Sequence, residues 1–433
     1  MHLHGVEDTS IHLTLPPERC AELVRLGWAE PHQYADFGTE IMLYGPRDAA
    51  ELEQVVSVVE ESLAFARTGA PDRVRQRPPR SFEHVRAPCE DLRVADDDTP
   101  ALPDGAVRDR WDDERTDVLG ERWRARTLHL RPDAVARRTH VDPEATLVRR
   151  VPDPDAPPTR RAVLYLHGFV DYFFHPHVGD ALAAAGYDTY ALDLRDHGRS
   201  IRPGRPPNET TDLATYTEEI DATVRLLRAD HDVVVLLGHS TGGLTAALWA
   251  DARRGQGLVD ALVLNSPWLD LRGSWFEQNL LARAVHVVGR PAPRVPVRTI
   301  APHYGRALHR DTGGEWDFDL AWKPHAGFPV RAGFVRAVRR AQMRVARGLG
   351  LDVPVLVLAS DAAGPHKTLH DALLSTDSVL DPAQIARRAP LLGDDVTYLE
   401  IAGGAHDLAL STAPVRERYL REVTDFLAAR VPG

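Results

Sequence analysis

From residue 162 onward the chain repeats one rhythm, a short apolar run followed by a stretch with helical periodicity. The runs are AVLYLHG (162–168), DTYALDL (188–194), DVVVLLGHS (232–240), VDALVLNS (259–266), VPVLVLAS (353–360) and VTYLEIAG (396–403). Between them, HVGDALAAAG (177–186), TYTEEIDATVRLLRA (215–229) and LTAALWADARR (244–254) read as helices, and VRERYLREVTDFLAAR (415–430) closes the chain. In the second of these, Tyr216, Ile220, Val224 and Leu227 share one face. A run that is apolar on both sides is stable only when both of its faces are covered. The alternation therefore predicts an α/β chain with a mostly parallel sheet between helical layers. ERWRARTLHLRP (121–132) and EATLVRRVP (144–152) add a pair of edge strands. Residues 267–350, rich in Trp, Phe, Arg and Pro, break the rhythm between two strands and are expected to form an inserted cap.

The N-terminal part differs in character. TSIHLTL (9–15) alternates like a strand, PPERCAELVRLG (16–27) opens with proline like a helix, and TEIMLYG (39–45) is again strand-like. Leu52, Val55, Val56, Val59 and Leu63 then mark one face of a helix. Residues 1–70 thus read as a small α/β domain. Residues 71–110, dominated by Pro, Arg and Asp, hold too few large apolar side chains to bury and are expected to be a disordered linker. Residues 111–433 form the larger domain.

Charge and composition exclude several functions. Acidic residues outnumber basic ones by 63 to 52, a balance unsuited to a general nucleic-acid binder. Cys20 and Cys89 are the only cysteines, too few for a disulfide framework or a multi-cysteine metal site. The N-terminus lacks a signal-peptide pattern, and no apolar run approaches the ~20 residues that span a bilayer. A cytoplasmic protein is the default expectation. No G-x-G-x-x-G follows a strand and no Walker lysine motif occurs, so no nucleotide cofactor is expected. Of the basic residues, Lys323 and Lys367 alone are lysine, an arginine bias read as genomic.

The chemistry begins at Gly238-His239-Ser240-Thr241-Gly242, where an apolar strand runs straight into a helix. Such a junction forces a sharp turn with a strained central residue, and it lifts the serine hydroxyl above the sheet edge. Serine needs a base, and the base needs an orienting group. His406, in AGGAHDL after the last strand, is placed to be that base. Two acids compete for the third role: Asp361 at the tip of VPVLVLAS, and Asp377 after a polar excursion. The amide of Thr241, at a helix N-terminus, and that of Phe169, in LYLHGFVDYF, could converge on an oxyanion. His175-Pro-His177 is expected as a surface loop beside the site rather than a metal-ligand pair. The cap aromatics Trp268, Trp275, Phe276, Trp316, Phe318, Trp322, Phe328 and Phe334 suit either an acyl pocket or a small cap core.

With these motifs assembled, residues 111–433 resemble the α/β-hydrolase superfamily, and within it the monoacylglycerol lipase and lysophospholipase-like serine hydrolases of the serine aminopeptidase S33 group. The resemblance rests on YLHGF, ALDLRDHGRS, LLGHSTGG and the closing TDSVLD…AGGAHD. It implies that the catalytic acid opens a short loop and helix about thirty residues before the histidine. Asp377 lies 29 positions before His406 and Asp361 lies 45, so the resemblance favours Asp377, with 361–376 as an insertion. Asp196 stands where the family's D-x-R-G-x-G-x-S run has glycine, and Asp193, Gly198 and Ser200 structure that loop. The first 70 residues weakly resemble a small uncharacterised domain labelled luciferase-like, a label that implies no light emission.

The reading is a serine hydrolase that cleaves a carboxylic ester through Ser240, His406 and Asp377, with Phe169 and Thr241 at the oxyanion. Its expected partner is a small-molecule ester of lipid-like character, and neither a cofactor nor a metal is expected. An aminopeptidase or thioesterase on the same triad, or a binding module on a hydrolase scaffold, are the alternatives.

Overall fold

The computed structural model describes residues 11–14, 17–25, 29–31, 40–43, 58, 110–272, 292–298, 300–365 and 368–431. Two compact units divide the chain, Met1–Pro100 and Ala101–Gly433. In the first, strands β1 (Ile11–Thr14), β2 (Ala29–Pro31) and β3 (Glu40–Leu43) form an antiparallel sheet in the order β1-β3-β2. Helix α1 (Pro17–Arg25) follows β1, with Cys20 and Leu23 buried. Apart from Val58, the helix expected near 52–63 lies outside the described residues, as do expected linker positions 71–109.

The second unit is built on nine strands: β4 (Arg115–Asp117), β5 (Gly120–His129), β6 (Glu144–Arg150), β7 (Arg161–Leu166), β8 (Asp188–Asp193), β9 (Val233–His239), β10 (Ala261–Asn265), β13 (Val355–Ser360) and β14 (Val396–Ile401). Their order is β14-β13-β10-β9-β7-β8-β6-β5-β4. From β14 to β8 every neighbouring pair is parallel, and β6, β5 and β4 are added antiparallel. This is the mostly parallel α/β sheet that the alternating apolar runs demand. The pair β5 and β6 sits one strand in from the edge, because β4, three residues long and without a readable pattern, lies outside it.

Period-two alternation divides each strand between two cores. Val234 and Leu236 of β9 face the layer formed by Ile220 and Val224 of α3 (Thr217–Asp230), Leu244 of α4 (Thr241–Asp251) and Phe334 and Val338 of α6 (Ala332–Ala346). Val235 and Leu237 face Val178 and Leu182 of α2 (Pro176–Ala184) and Tyr419, Val423 and Leu427 of α7 (Ala413–Arg430). Parallel pairing brings the carboxyl ends of β7, β9, β10, β13 and β14 to one edge of the sheet, where ligand crevices of open α/β sheets form.

The expected cap segment contains β11 (Pro296–Arg298), α5 (His303–Leu308), β12 (Val330–Arg331) and α6, with β11 and β12 paired antiparallel. Residues 273–291, including Trp275 and Phe276, lie outside the described residues. Helix α6 buries Phe334, Val338, Ala341 and Val345 in the main core. No helix among the described residues is long and apolar enough to cross a membrane.

The loop after β8 is fixed by buried charge. Arg199 holds both carboxylate oxygens of Asp117 on β4 at 2.7 Å and Asp193 Oδ2 at 2.8 Å. Ser200 Oγ donates to the Asp193 carbonyl, and Asp193 Oδ1 accepts the Phe173 amide. Asp196, in the glycine position of the run, has φ 62°, in the left-handed region that aspartate enters more readily than most residues. Its carboxylate is bidentate to Arg205, at 2.7 and 2.8 Å. Removing one partner of a buried ion pair leaves the other charge stranded. Arg199→Met should therefore lower the unfolding free energy by about 3 kcal/mol or more, read from urea denaturation followed by tryptophan fluorescence. A loss below about 1 kcal/mol would show that Asp117 and Asp193 find other partners.

Candidate active site

Ser240 lies between β9 and α4 with φ 53° and ψ −114°, a backbone that costs a non-glycine residue about 1–3 kcal/mol. The surroundings hold it there. Its amide donates to the Asn265 carbonyl at 3.0 Å, and its own carbonyl accepts the amides of Leu244 and Trp268 at 3.2 and 3.0 Å. One turn on, Gly242 passes so close to the end of β7 that a Cβ would lie 2.3 Å from the Leu166 carbonyl oxygen and 2.4 Å from that of His167. Only glycine allows the two chains to meet.

His406 bridges the two other groups. Its Nε2 lies 3.1 Å from Ser240 Oγ, and its Nδ1 lies 3.0 Å from Asp377 Oδ2. All three residues are buried. The second Asp377 oxygen accepts the amides of Val379 and Leu380 at 2.9 and 2.7 Å. Burial pushes this carboxyl up, but the His406 ring and these amides outweigh it and hold the group below its ordinary range. Asp361 is exposed and accepts the Gly403 amide at 2.9 Å, a tie between two loops. The excursion between the acids closes on itself, since the Asp377 amide donates to Ala362 O and the Gly364 amide to Asp377 O. Asp377 therefore returns to the strand tip that Asp361 leaves.

The loop after β7 runs beside Ser240. A Cβ on Gly168 would stand 3.2 Å from Ser240 Cβ, so Phe169 follows within the same turn. Thr241 opens α4, and its N–H has no intrahelical acceptor. Val170 has φ 51°, rare for a β-branched residue. His167 pins the turn from beneath: its Nε2 accepts the Leu194 amide at 3.0 Å, which makes Nδ1 the donor to the Gly168 carbonyl at 2.8 Å. Burial lowers the pKa of His167, and it pulls the His197 ring, which lies 4.9 Å away, down to about 3.

A second buried cluster surrounds these three residues, and no motif in the sequence marks it as a unit. His239 Nδ1 lies 3.2 Å from Asp171 Oδ2, and Lys323 Nζ lies 2.6 Å from Asp171 Oδ1. Asp407 Oδ2 is 3.0 Å from His175 Nε2, while Asp407 Oδ1 accepts Asn265 Nδ2 at 2.8 Å. Burial draws the His239 ring down, but Asp407 and Asp171 outweigh it and leave it above its ordinary value. His239 and Asp407 are the chain neighbours of Ser240 and His406, the one available signal. Ligand atoms of Asp171, His239 and Asp407 lie close enough to surround a cation, yet the Lys323 ammonium already neutralises Asp171. The expectation of a surface loop at His175-Pro-His177 is corrected: His175 is fully buried against Asp407, and His177 is tied to the Ala409 carbonyl at 2.8 Å. The run Tyr172-Phe173-Phe174, entirely buried, draws these histidines inward.

The cap aromatics divide. Phe318, Trp316 and Trp322 pack with Tyr172, Phe174 and Leu410 as a small core. Phe334 instead stacks on Phe169 at 4.2 Å between ring centroids, with Trp268 beside it at 6.3 Å. Two of those rings stem from backbone that adjoins Ser240, since Phe169 follows Gly168 and the Trp268 amide donates to the Ser240 carbonyl.

Residues 157–409 match the family described as serine aminopeptidase, S33, and residues 1–62 match the luciferase domain. A monoacylglycerol lipase of Mycolicibacterium smegmatis is 30% identical over 207 residues, which cover 47% of this chain and 70% of that protein. A soluble variant of monoglyceride lipase from Saccharomyces cerevisiae, solved with a substrate analogue, superposes with a TM-score of 0.52 at 15% identity, covering 70% of this chain and 96% of the other. A lipase in its open form gives 0.50 at 17% identity, covering 71% of this chain and all of the other. Both structures share the α/β-hydrolase fold.

Two outcomes follow from this geometry. Ser240→Gly should be more stable than Ser240→Ala by about 1 kcal/mol in urea denaturation, because glycine alone relieves the backbone; equal stability would mean that the turn carries no strain. The rings of His197 and His177 take up a proton near pH 6.5 when unfolded but only at about 3 and about 4 when folded. Stability should therefore be fully present above pH 6.5 and fall as the pH drops toward 3. His197→Phe should flatten that slope in unfolding titrations, and an unchanged slope would remove His197 as its source.

Proposed function

The chain belongs to the serine aminopeptidase S33 family of hydrolases, and we propose that it cleaves carboxylic esters by acyl transfer through Ser240, His406 and Asp377. One observation carries this reading: a single imidazole spans the serine hydroxyl and a buried carboxylate, at 3.1 and 3.0 Å. His406 Nε2 takes the Ser240 proton as Oγ attacks the acyl carbon, and the carbonyl electrons move to oxygen. The amides of Phe169 and Thr241 hold that oxyanion. Collapse breaks the bond to the leaving alcohol, which receives the proton from His406. Water then repeats the sequence on the acyl-enzyme, giving up a proton to His406 as it attacks, and the acid leaves with Ser240 restored. Asp377 accepts the Nδ1–H bond throughout and stabilises the imidazolium.

The aromatic wall of Phe169, Phe334 and Trp268 supports an apolar acyl group. The named activity of the M. smegmatis relative makes a monoacylglycerol the first substrate to try. The family description also raises an aminopeptidase, which needs a carboxylate for the substrate ammonium. The acids beside Ser240, Asp171 and Asp407, are already paired with Lys323 and His175, and this favours the ester.

A fluorophosphonate probe should label the wild type and leave Ser240→Ala unlabelled. Asp377→Asn should lower kcat by about 10⁴ on a p-nitrophenyl ester, whereas Asp361→Asn should stay within about threefold. Equal labelling of both proteins, or the larger loss at Asp361, would overturn the assignment. Faster turnover of aminoacyl amides than of monoacylglycerols would shift the substrate class.

A further inference from the structure

We propose that Lys323 and Asp171 are positioning residues through which the cap segment sets the oxyanion loop; this rests on the reading of Ser240 as nucleophile. The turn at 319–323, closed by the Trp322 and Lys323 amides donating to Asp319 O, makes a two-point clasp. Lys323 Nζ donates to Asp171 Oδ1 at 2.6 Å, and the Asp319 amide donates to Tyr172 Oη at 2.7 Å. Consecutive residues of the loop that carries Phe169 are therefore gripped by one turn of the cap. The Trp322 ring meets the Tyr172 ring edge-on at 5.2 Å, which closes the clasp with an apolar contact.

The carboxylate passes the grip on. Asp171 Oδ2 accepts the Gly168 amide at 3.4 Å and faces His239 Nδ1 at 3.2 Å, so it touches both the residue before Phe169 and the residue before Ser240. Between Gly168 and Asp171 stands Val170 with its left-handed backbone, a conformation that persists only where the surroundings impose it. A buried ion pair whose sole role was stability would be replaceable by apolar side chains. This one has its far end on the two segments that frame the oxyanion.

The choice of lysine agrees with that role. The chain has 52 basic residues and uses lysine at Lys323 and Lys367 alone. The Lys323 ammonium lies 5.5 Å from the centroid of Phe174 and 5.8 Å from that of Phe318. The compact ammonium faces both rings while its thin stem lets it reach the buried carboxylate as a point charge.

The test uses the full chain, a p-nitrophenyl ester, an alkyl trifluoromethyl ketone that forms a hemiketal oxyanion on serine, and the carboxylate product as a ground-state ligand. For Lys323→Met, kcat and trifluoromethyl ketone affinity should fall together by about tenfold to a hundredfold. KM and product affinity should stay within about threefold. In an Asp171→Asn background the same change should add less than about twofold, since lysine acts through that carboxylate. Unchanged kcat and ketone affinity, or losses that multiply in the double variant, would overturn the proposal. If Lys323→Met does not fold, Tyr172→Phe, which cuts the other prong, must show the same paired loss for the proposal to stand. Turnover retained by Ser240→Ala would instead indict the nucleophile assignment on its own.

Discussion

The strained turn at Ser240 depends on the close meeting of two strand ends, and the rest of the site follows from that contact. Gly242 lies against the carbonyls of Leu166 and His167, so β7 and β9 must be adjacent, parallel and in register where α4 begins. Their adjacency also places the Gly168–Phe169 turn beside the serine. A longer connection or a side chain at 242 would move Ser240 and the Gly168–Phe169 turn apart. The backbone cost at Ser240 is offset by burial of β9 between two layers, where Val234 through Leu237 are almost wholly withdrawn from water.

What the sequence displayed was local. Strands buried on both faces read as apolar runs, and the strand-to-helix junction revealed Ser240, because each signal occupies a few consecutive residues. Asp377 was not local. Residues alone left two acids in play, and only likeness to a family favoured one, since the excursion from Ala362 to Asp377 begins and ends at one point through bonds that spacing does not encode. The short strands β2 and β4 escaped for a different reason: three residues carry no periodicity, and Arg199 and its partner Asp117 hold β4 from 82 positions away. His175 looked like a surface residue because His-Pro-His is polar. The three aromatics before it were the better guide, since their burial takes the following turn with them.

Departures from the family's pattern are also physical statements. Asp196, at the place where the run it resembles has glycine, has φ 62°. Aspartate is among the few side chains that enter this region at modest cost. Here its carboxylate also gains Arg205, and its carbonyl accepts both the amide and the side chain of Asn208. An ion pair thus holds at position 196 a backbone that glycine would adopt freely, on the path between Asp193 and Arg199.

The carboxyl edge of the sheet is a row of buried acids, each with its own cation or ring: Asp193 with Arg199, Asp171 with Lys323, Asp407 with His175, Asp377 with His406. Well-packed apolar residues in their place would serve stability as well or better. They could not hold polar groups in fixed directions while charge develops on a substrate, which is where an enclosed site gains most. Within that row the histidines are not equivalent. His175 faces a carboxylate through Nε2 and the Phe174 amide through Nδ1, so neither nitrogen is left for a substrate. His239 adjoins Ser240 in sequence, yet its Nδ1 is turned to Asp171. His406 alone among them has a carboxylate at one nitrogen and a hydroxyl at the other, so Nε2 is free to take up and return a proton while the carboxylate steadies the ring through Nδ1.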